Sequence, residues 1–309
     1  MSSVVREAFH AGEQAAQRRA GSRERMALIG TKVLRDAMPD QHREFFEMLP
    51  FVLLGALDAQ GQPWATLLAG PTGFMTTPNA TELRIGALPS VADPLSGRLR
   101  EGASIGLLGI EPHTRRRNRM NGRVQRADAA GFEVAVSQSF GNCPKYIQPR
   151  ELQWQGAQAE APPIRSDHLD ATMRALVQSA DTFFIASTHP GAVSATPEAQ
   201  EPRHGVDVSH RGGLAGFVHV DADDRLSVPD YLGNFFFNTL GNLLLEPRAG
   251  LLFVDWERGD LLHLAVRAEV VWDGPELSRF PGAQRVLRLQ LTDALLRPGA
   301  LPLHVVEEA

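Results

Sequence analysis

The chain has 309 residues, a length that favours two domains over one, and its 31 basic and 36 acidic side chains give a formal charge of −5. With 43% hydrophobic and 22% charged residues it is neither a disordered chain nor a broadly basic nucleic-acid binder. A single cysteine, Cys143, leaves no intrachain disulfide, no iron–sulfur ligand set and no Cys-rich zinc site, and it predicts a reducing, cytoplasmic setting.

In chain order, the first 30 residues carry Arg6, Glu7, Glu13, Arg18, Arg19, Arg23, Glu24 and Arg25, which interrupt any secretory apolar core; residues 1–36 read as an N-terminal extension. Asp40 to Leu49 reads as a helix, with Phe45, Phe46 and Leu49 at helical spacing, and leads into a strand from Phe51 to Asp58. Gly106 to Glu111 is a further apolar strand, followed by an extended segment from Thr114 to Gln125. The aperiodic, Ala-, Gln- and Pro-rich stretch 153–163 predicts a linker between a first domain, 37–152, and a second, 164–309. Beyond it the order repeats. A helix over Asp167 to Ser179 precedes a strand over Thr182 to Thr188; Gly250 to Asp255 matches Gly106 to Glu111; and Asp260 to Trp272 matches the Thr114 segment, with Arg267 at the offset of Arg123. His189 to Val206 lengthens the second copy and reads as a long loop. No run approaches the roughly 20 apolar residues that span a bilayer, so no membrane partner is expected. Short strands dominate, which favours a barrel-like, mainly β fold with minor α.

Among chemical motifs, Gly102-Ala103-Ser104-Ile105-Gly106 has the letters of a hydrolase elbow, but its serine opens a strand rather than a helix, and the esterase reading is set aside. Phosphate-loop, dinucleotide and metal-helix patterns are missing from the sequence, and the ten histidines are scattered, so no metal site is expected. The densest positive charge runs from Thr114 to Arg123. As a strand it puts Arg115, Arg117, Arg119, Asn121 and Arg123 on one face. A cationic face on a mildly acidic chain suits a phosphate or carboxylate ligand, and an ion-paired strand face stays open beside it. Three segments are rich in Gly, Ser, Thr and Asn: Ser139 to Ile147, Asp207 to Gly213, and Pro229 to Asn242. They suit close backbone approach to an anionic ligand, or ordinary turns. Both tyrosines, Tyr146 and Tyr231, and Lys145, one of two lysines, lie in them.

Through the Arg116 to Val124 strand with Ser139 to Gln148, and through Ser209-His210-Arg211-Gly212-Gly213 with Gly233-Asn234 and Asn238 to Asn242, the chain resembles the FMN-binding split-barrel superfamily. That superfamily includes the pyridoxamine 5'-phosphate oxidases. The resemblance runs over nearly the whole chain in two copies. It implies two tandem six-stranded split barrels paired as an intrachain pseudo-dimer, with FMN in the groove between them, and it leaves a homodimer open. It further implies an FMN-dependent oxidoreductase acting on a small-molecule substrate with a nicotinamide reductant, in the cytoplasm. The alternative is a non-catalytic split barrel that holds flavin or haem as a sensor or carrier. Carried over by resemblance, Ser209, His210, Arg211, Gly212 and Gly213 run along the cofactor. Asn238, Thr239 and Asn242 start the phosphate-side helix, and Arg117, Arg119 and Lys145 supply the partner wall. No catalytic residue is assigned. Two departures from the oxidases argue against vitamin B6 synthesis. Leu240-Gly241-Asn242-Leu243 stands where they carry an Arg-Lys pair, and Pro298 to Ala309 lacks their Arg-x-His signature.

Overall fold

The computed structural model describes residues 7–156, 160–193 and 201–306. Three helices come first: α1 (Ala11–Arg19), α2 (Arg23–Val33) and α3 (Asp40–Met48). The first sheet is built from β1 (Phe51–Leu57), β2 (Pro63–Ala69), β3 (Met75–Asn79), β4 (Glu82–Ile85), β5 (Ser104–Glu111), β6 (Arg116–Asp128) and β7 (Gly131–Gly141). Then come β8 (Leu152–Trp154), β9 (Ile164–Ser166), α4 (Ala171–Ser179), β10 (Thr182–Thr188), β11 (Val206–Gly212), β12 (His219–Val220) and β13 (Arg225–Asp230). The chain closes with α5 (Asn238–Leu245), β14 (Arg248–Val254), β15 (Leu261–Val271), β16 (Arg285–Arg297) and β17 (Leu303–Val305).

The duplication read from the sequence is present along two matching seven-strand paths, and the second sheet adds β9, paired with β16. The first sheet runs β2-β1-β5-β6-β7-β4-β3 and the second β11-β10-β14-β15-β16-β13-β12, the same order of equivalents, with every strand pairing among the described residues antiparallel. Each path has seven strands rather than the six implied, because a short outer strand, β3 or β12, is added by a hairpin. The fold is mainly β, in two tandem barrels. The register also bears out the arginine offset: Arg123 lies opposite Ser104, and Arg267 opposite Arg248, each two residues before the equivalent glycines Gly106 and Gly250. The predicted helix from Asp167 begins later, at Ala171, because the Asp170 carboxylate accepts from the Met173 amide at 2.8 Å and caps it there. Of the expected 189–206 loop, Pro190–Val193 forms a single 3-10 turn and 194–200 lie outside the described residues. The stretch expected as a linker starts inside β8, which pairs with β17 near the end of the chain.

Strand alternation explains how the barrels meet. On β1, Val52, Leu54 and Ala56 point into the first barrel's core, while Phe51 and Leu53 point outward into a shared layer. On β10, Phe183 and Ile185 fill the second core, and Phe184 and Ala186 join that shared layer. Both faces of these strands are therefore apolar, which is why they read as continuous hydrophobic runs. Each fully buried Leu or Phe there contributes roughly 1.5–3 kcal/mol relative to exposure. Two equivalent glycines set the distance between barrels. A Cβ on Gly106 would lie 2.6 Å from the Val206 carbonyl oxygen, and one on Gly250 would lie 2.2 Å from that of Pro63. Only glycine permits backbone contact this close.

Candidate functional site

The close approach at Gly106 packs β5 of the first barrel against β11 of the second and brings the neighbouring β6 within side-chain reach of β11; a pocket lies beside these strands and the start of α5. Of the residues expected at a site, Arg117, Arg119, Lys145, Ser209, His210, Arg211, Gly212, Asn238 and Thr239 line this one pocket. Gly213 and Asn242 do not. Gly213 uses its amide to bind the Asp181 carbonyl at 3.0 Å, and Asn242 is buried behind the pocket, donating to Ser187 Oγ at 3.1 Å and to Asp207 Oδ2 at 3.0 Å.

The arginine face of β6 splits by charge environment. Arg119 is buried and donates to Asp207 Oδ1 at 3.1 Å and to Ser209 Oγ, and its guanidinium lies 5.4 Å from the Phe140 ring centre. Asn121, two residues on and on the same face, donates to Asp207 Oδ1 at 2.7 Å. Here the ion-paired reading of the strand holds. Arg117 differs, because its partners are neutral: it donates to the Cys143 carbonyl at 2.7 Å and to His210 Nδ1 at 2.9 Å, and no carboxylate among the described residues pairs with it. Burial brings its pKa down to about 10, so it stays charged at neutral pH. The His210 imidazole is held well below 6.5, first by burial and then by Arg117, Arg211 and Arg150, so the ring is neutral. Lys145 adds a second lining cation with no ion pair among the described residues. Arg115 and Arg123 lie away from the pocket; Arg115 precedes the strand with φ 56°, and Arg123 donates to the Gly102 carbonyl.

Several participants were not expected. Asp207 gathers Arg119, Asn121 and Asn242 behind the pocket. Asp230 accepts from Arg211 and pairs with Arg285 at 3.4 Å, and Arg285 lies 4.9 Å from Phe237 and 4.7 Å from Trp272. Tyr146 and Tyr231 stack with ring centres 5.6 Å apart at the mouth, so the scarce tyrosines do line the pocket. The N-terminal extension also contributes. Gly12 of α1 lies against Gly241 of α5 so closely that a Cβ would fall 2.0 Å from the Gly241 carbonyl oxygen. The buried Glu13 next to it accepts from the Asn238 side chain in the first turn of α5. Burial, and then Asp207, pushes the Glu13 carboxyl up to about 8, so it is mainly protonated at neutral pH. Periodicity could not reveal these groups; only the offset of Asp207 from Ser209 on one strand face offered a signal.

The hydrogen-bond balance of the pocket is one-sided. Asn142 Nδ2, Arg119 Nε, Arg211 Nε and Arg285 Nη1 are buried donors without an acceptor among the described residues, and Arg285 Nε meets Asp230 Oδ2 only as an ion pair at 3.4 Å. The first turn of α5 also faces the pocket, and no acidic side chain among the described residues caps it. Five cations, Arg117, Arg119, Lys145, Arg211 and Arg285, line the pocket with Asp230, and Asp207 stands behind it. This arrangement accepts an anion that is rich in hydrogen-bond acceptors.

Residues 38–161 match the family model for pyridoxamine 5'-phosphate oxidase. The first barrel belongs to the pyridoxamine 5'-phosphate oxidase-related split barrels. The second split barrel repeats its strand order, so the pocket lies between two barrels of one architecture. No curated protein matches the chain. Solved structures similar to parts of it include an FAD-binding protein from Mesorhizobium loti, at 15% identity, covering 44% of this chain and 97% of that one with a TM-score of 0.30. The haem storage protein HutZ from Vibrio cholerae is 14% identical over 43% of this chain and 97% of its own, with a TM-score of 0.29. HupZ from Group A Streptococcus is 13% identical, covering 40% and 89%, with a TM-score of 0.30. Among the described residues no helix is long and apolar enough to cross a membrane.

Proposed function

We propose that the chain is an FMN-dependent oxidoreductase of the pyridoxamine 5'-phosphate oxidase-like class, with barrels spanning 37–152 and 164–309 and one cofactor pocket between them. The observation that carries this reading is Arg117, a half-buried guanidinium whose only side-chain partner among the described residues is a neutral imidazole. A cation partly removed from water without a counter-charge costs folding free energy that a bound anion would offset. The residues present suit FMN. Arg117, Arg211 and Lys145 with the first turn of α5 would hold the phosphate and the electron-rich edge of the ring, and Asn142 and Arg285 have donors to spare. FMN would supply hydride or electron transfer, and the protein positions it and sets its electrostatics. Arg117 and Arg211 would favour the anionic reduced form; Ser209 and Thr239, hydrogen-bonded to each other at 2.8 Å, set the floor of the pocket.

Vitamin B6 synthesis is a poor fit. Where the oxidases are expected to carry a cation, Gly241 abuts Glu13, and even a Cβ would lie 2.5 Å from the Glu13 side chain, leaving no room for a longer one. The substrate is therefore a different small molecule, with a nicotinamide as reductant.

The visible spectrum of the full chain as purified from a flavin-replete cytoplasmic host tests the reading, together with titration by added FMN. The expected result is the two-band spectrum of oxidised flavin, or FMN fluorescence quenched on addition, with bleaching by NADH or NADPH. A colourless protein that neither quenches FMN nor gains melting temperature from it removes the proposal. Bound flavin that no nicotinamide reduces would favour the carrier reading instead.

A further inference from the structure

Because the two seven-strand paths are equivalent, the pocket has a counterpart related by exchange of the two barrels, and the register identifies its residues. Taking Gly106 with Gly250 and Gly55 with Ala186, Ser209, which lies opposite Ile185, corresponds to Thr66, which lies opposite Leu54. In the same register Arg119, opposite Leu108, corresponds to His263, opposite Leu252. The reach across the barrels is preserved: as Arg119 bonds to β11, His263 bonds to the Ala65 carbonyl of β2 at 3.0 Å. The chemistry is not preserved. Arg117 becomes Leu261, His210 becomes Leu67 and Arg211 becomes Leu68, all three buried.

The decisive exchange is at Asn142. Its amide binds the Arg117 carbonyl, and its side-chain nitrogen lines the open pocket without an acceptor. The equivalent position, opposite Leu261, is Arg297. Arg297 is only 4% exposed, and its guanidinium donates to Asp93 Oδ2 at 2.6 Å, to Ser90 Oγ at 2.7 Å and to Glu160 Oε1 at 2.7 Å. Thr66, the counterpart of Ser209, donates to the same Asp93. The cation is thus neutralised from within the chain, and the space beside it is filled by leucines.

We infer that the chain binds one anionic cofactor and not two: the Arg297–Asp93 pair is a built-in plug that closes the second of two equivalent sites. This inference rests on the cofactor reading above, and stoichiometry separates the two. FMN is titrated into the full-length protein stripped of flavin, and bound FMN is counted per chain by fluorescence and by flavin released on denaturation. Saturation at one FMN per chain is expected. In Arg117→Met, which alters the open pocket alone, affinity should fall at least tenfold for all of the bound FMN. Saturation at two, or a half-share of wild-type binding that survives Arg117→Met unchanged, overturns the plug and leaves the cofactor reading standing. No binding to the wild type overturns the cofactor reading and takes the one-site inference with it. Arg117→Met gives up a half-buried cation rather than a packed ion pair, so it should fold; its melting temperature confirms this before titration.

Discussion

Arg117 and His210 lie 93 residues apart in the chain and meet across the two barrels, Nη1 to Nδ1, at 2.9 Å. A guanidinium has only donors, so Nδ1 must accept, and the proton of the neutral ring sits on Nε2. A second proton would point at Arg117, with Arg211 and Arg150 also facing the ring. His210 should therefore remain the Nε2–H tautomer, with no titration near 6.5. Nitrogen-15 NMR of the imidazole checks this; a half-titration point close to 6.5 would contradict the geometry.

His263 shows the opposite tautomer, donating from Nδ1 to the Ala65 carbonyl, with Arg297 3.4 Å from Nε2. Burial is the main reason its pKa falls to about 4. The unfolded chain takes up this proton near 6.5 and the folded chain only near 4, so the stabilisation is complete above 6.5 and is lost as pH falls through that window. The expected loss from this residue is on the order of 3 kcal/mol between those pH values. Urea unfolding at several pH values should show it, and His263→Asn, which keeps a donor toward Ala65, should flatten the slope. Parallel pH profiles for the two proteins would refute the assignment.

Asp207 is the counter-charge on which the floor of the pocket depends, since Arg119, Asn121 and Asn242 all converge on it. Asp207→Asn keeps the shape and leaves Arg119 buried without a charge partner. Breaking a buried pair in this way costs about 3–5 kcal/mol. A loss in that range should appear as a lower urea midpoint with unchanged slope; a shift under about 1 kcal/mol, the range of an exposed pair, would mean that Arg119 is paired elsewhere.

Gly250→Ala tests the contact between the barrels. Its Cβ would lie 2.2 Å from the Pro63 carbonyl oxygen, which is backbone and cannot rotate away. Overpacking of this kind costs about 1–3 kcal/mol or more. A melting temperature within a degree of wild type would show that the barrels can slide apart at little cost.

The strands of the fold were legible in the sequence because alternation and turn residues carry them, and the duplication was legible because Gly106 and Gly250 recur in matching apolar runs. The β6 arginine face was legible by its period of two. Which of its arginines are paired was not, because that depends on Asp207 of the other barrel, 88 residues from Arg119. Arg285, and its pairing with Asp230 of the Pro229 segment, were missed for the same reason: each looks like an ordinary surface charge until β13 and β16 pair and place them in register. Glu13 was hidden in a polar, charged N-terminal stretch, whose packing depends on two glycines meeting between α1 and α5.

The exchange of Arg117 for Leu261 at matching positions is open only to a chain that contains both barrels. An assembly of two identical subunits writes every substitution twice, so a change that closes one groove closes its twin. Fusing the copies lets natural selection act on each groove separately. A saturation mutagenesis scan should accordingly find two unrelated tolerance profiles at equivalent positions: polar and intolerant of neutral substitution along β11, and apolar and governed by volume along β2.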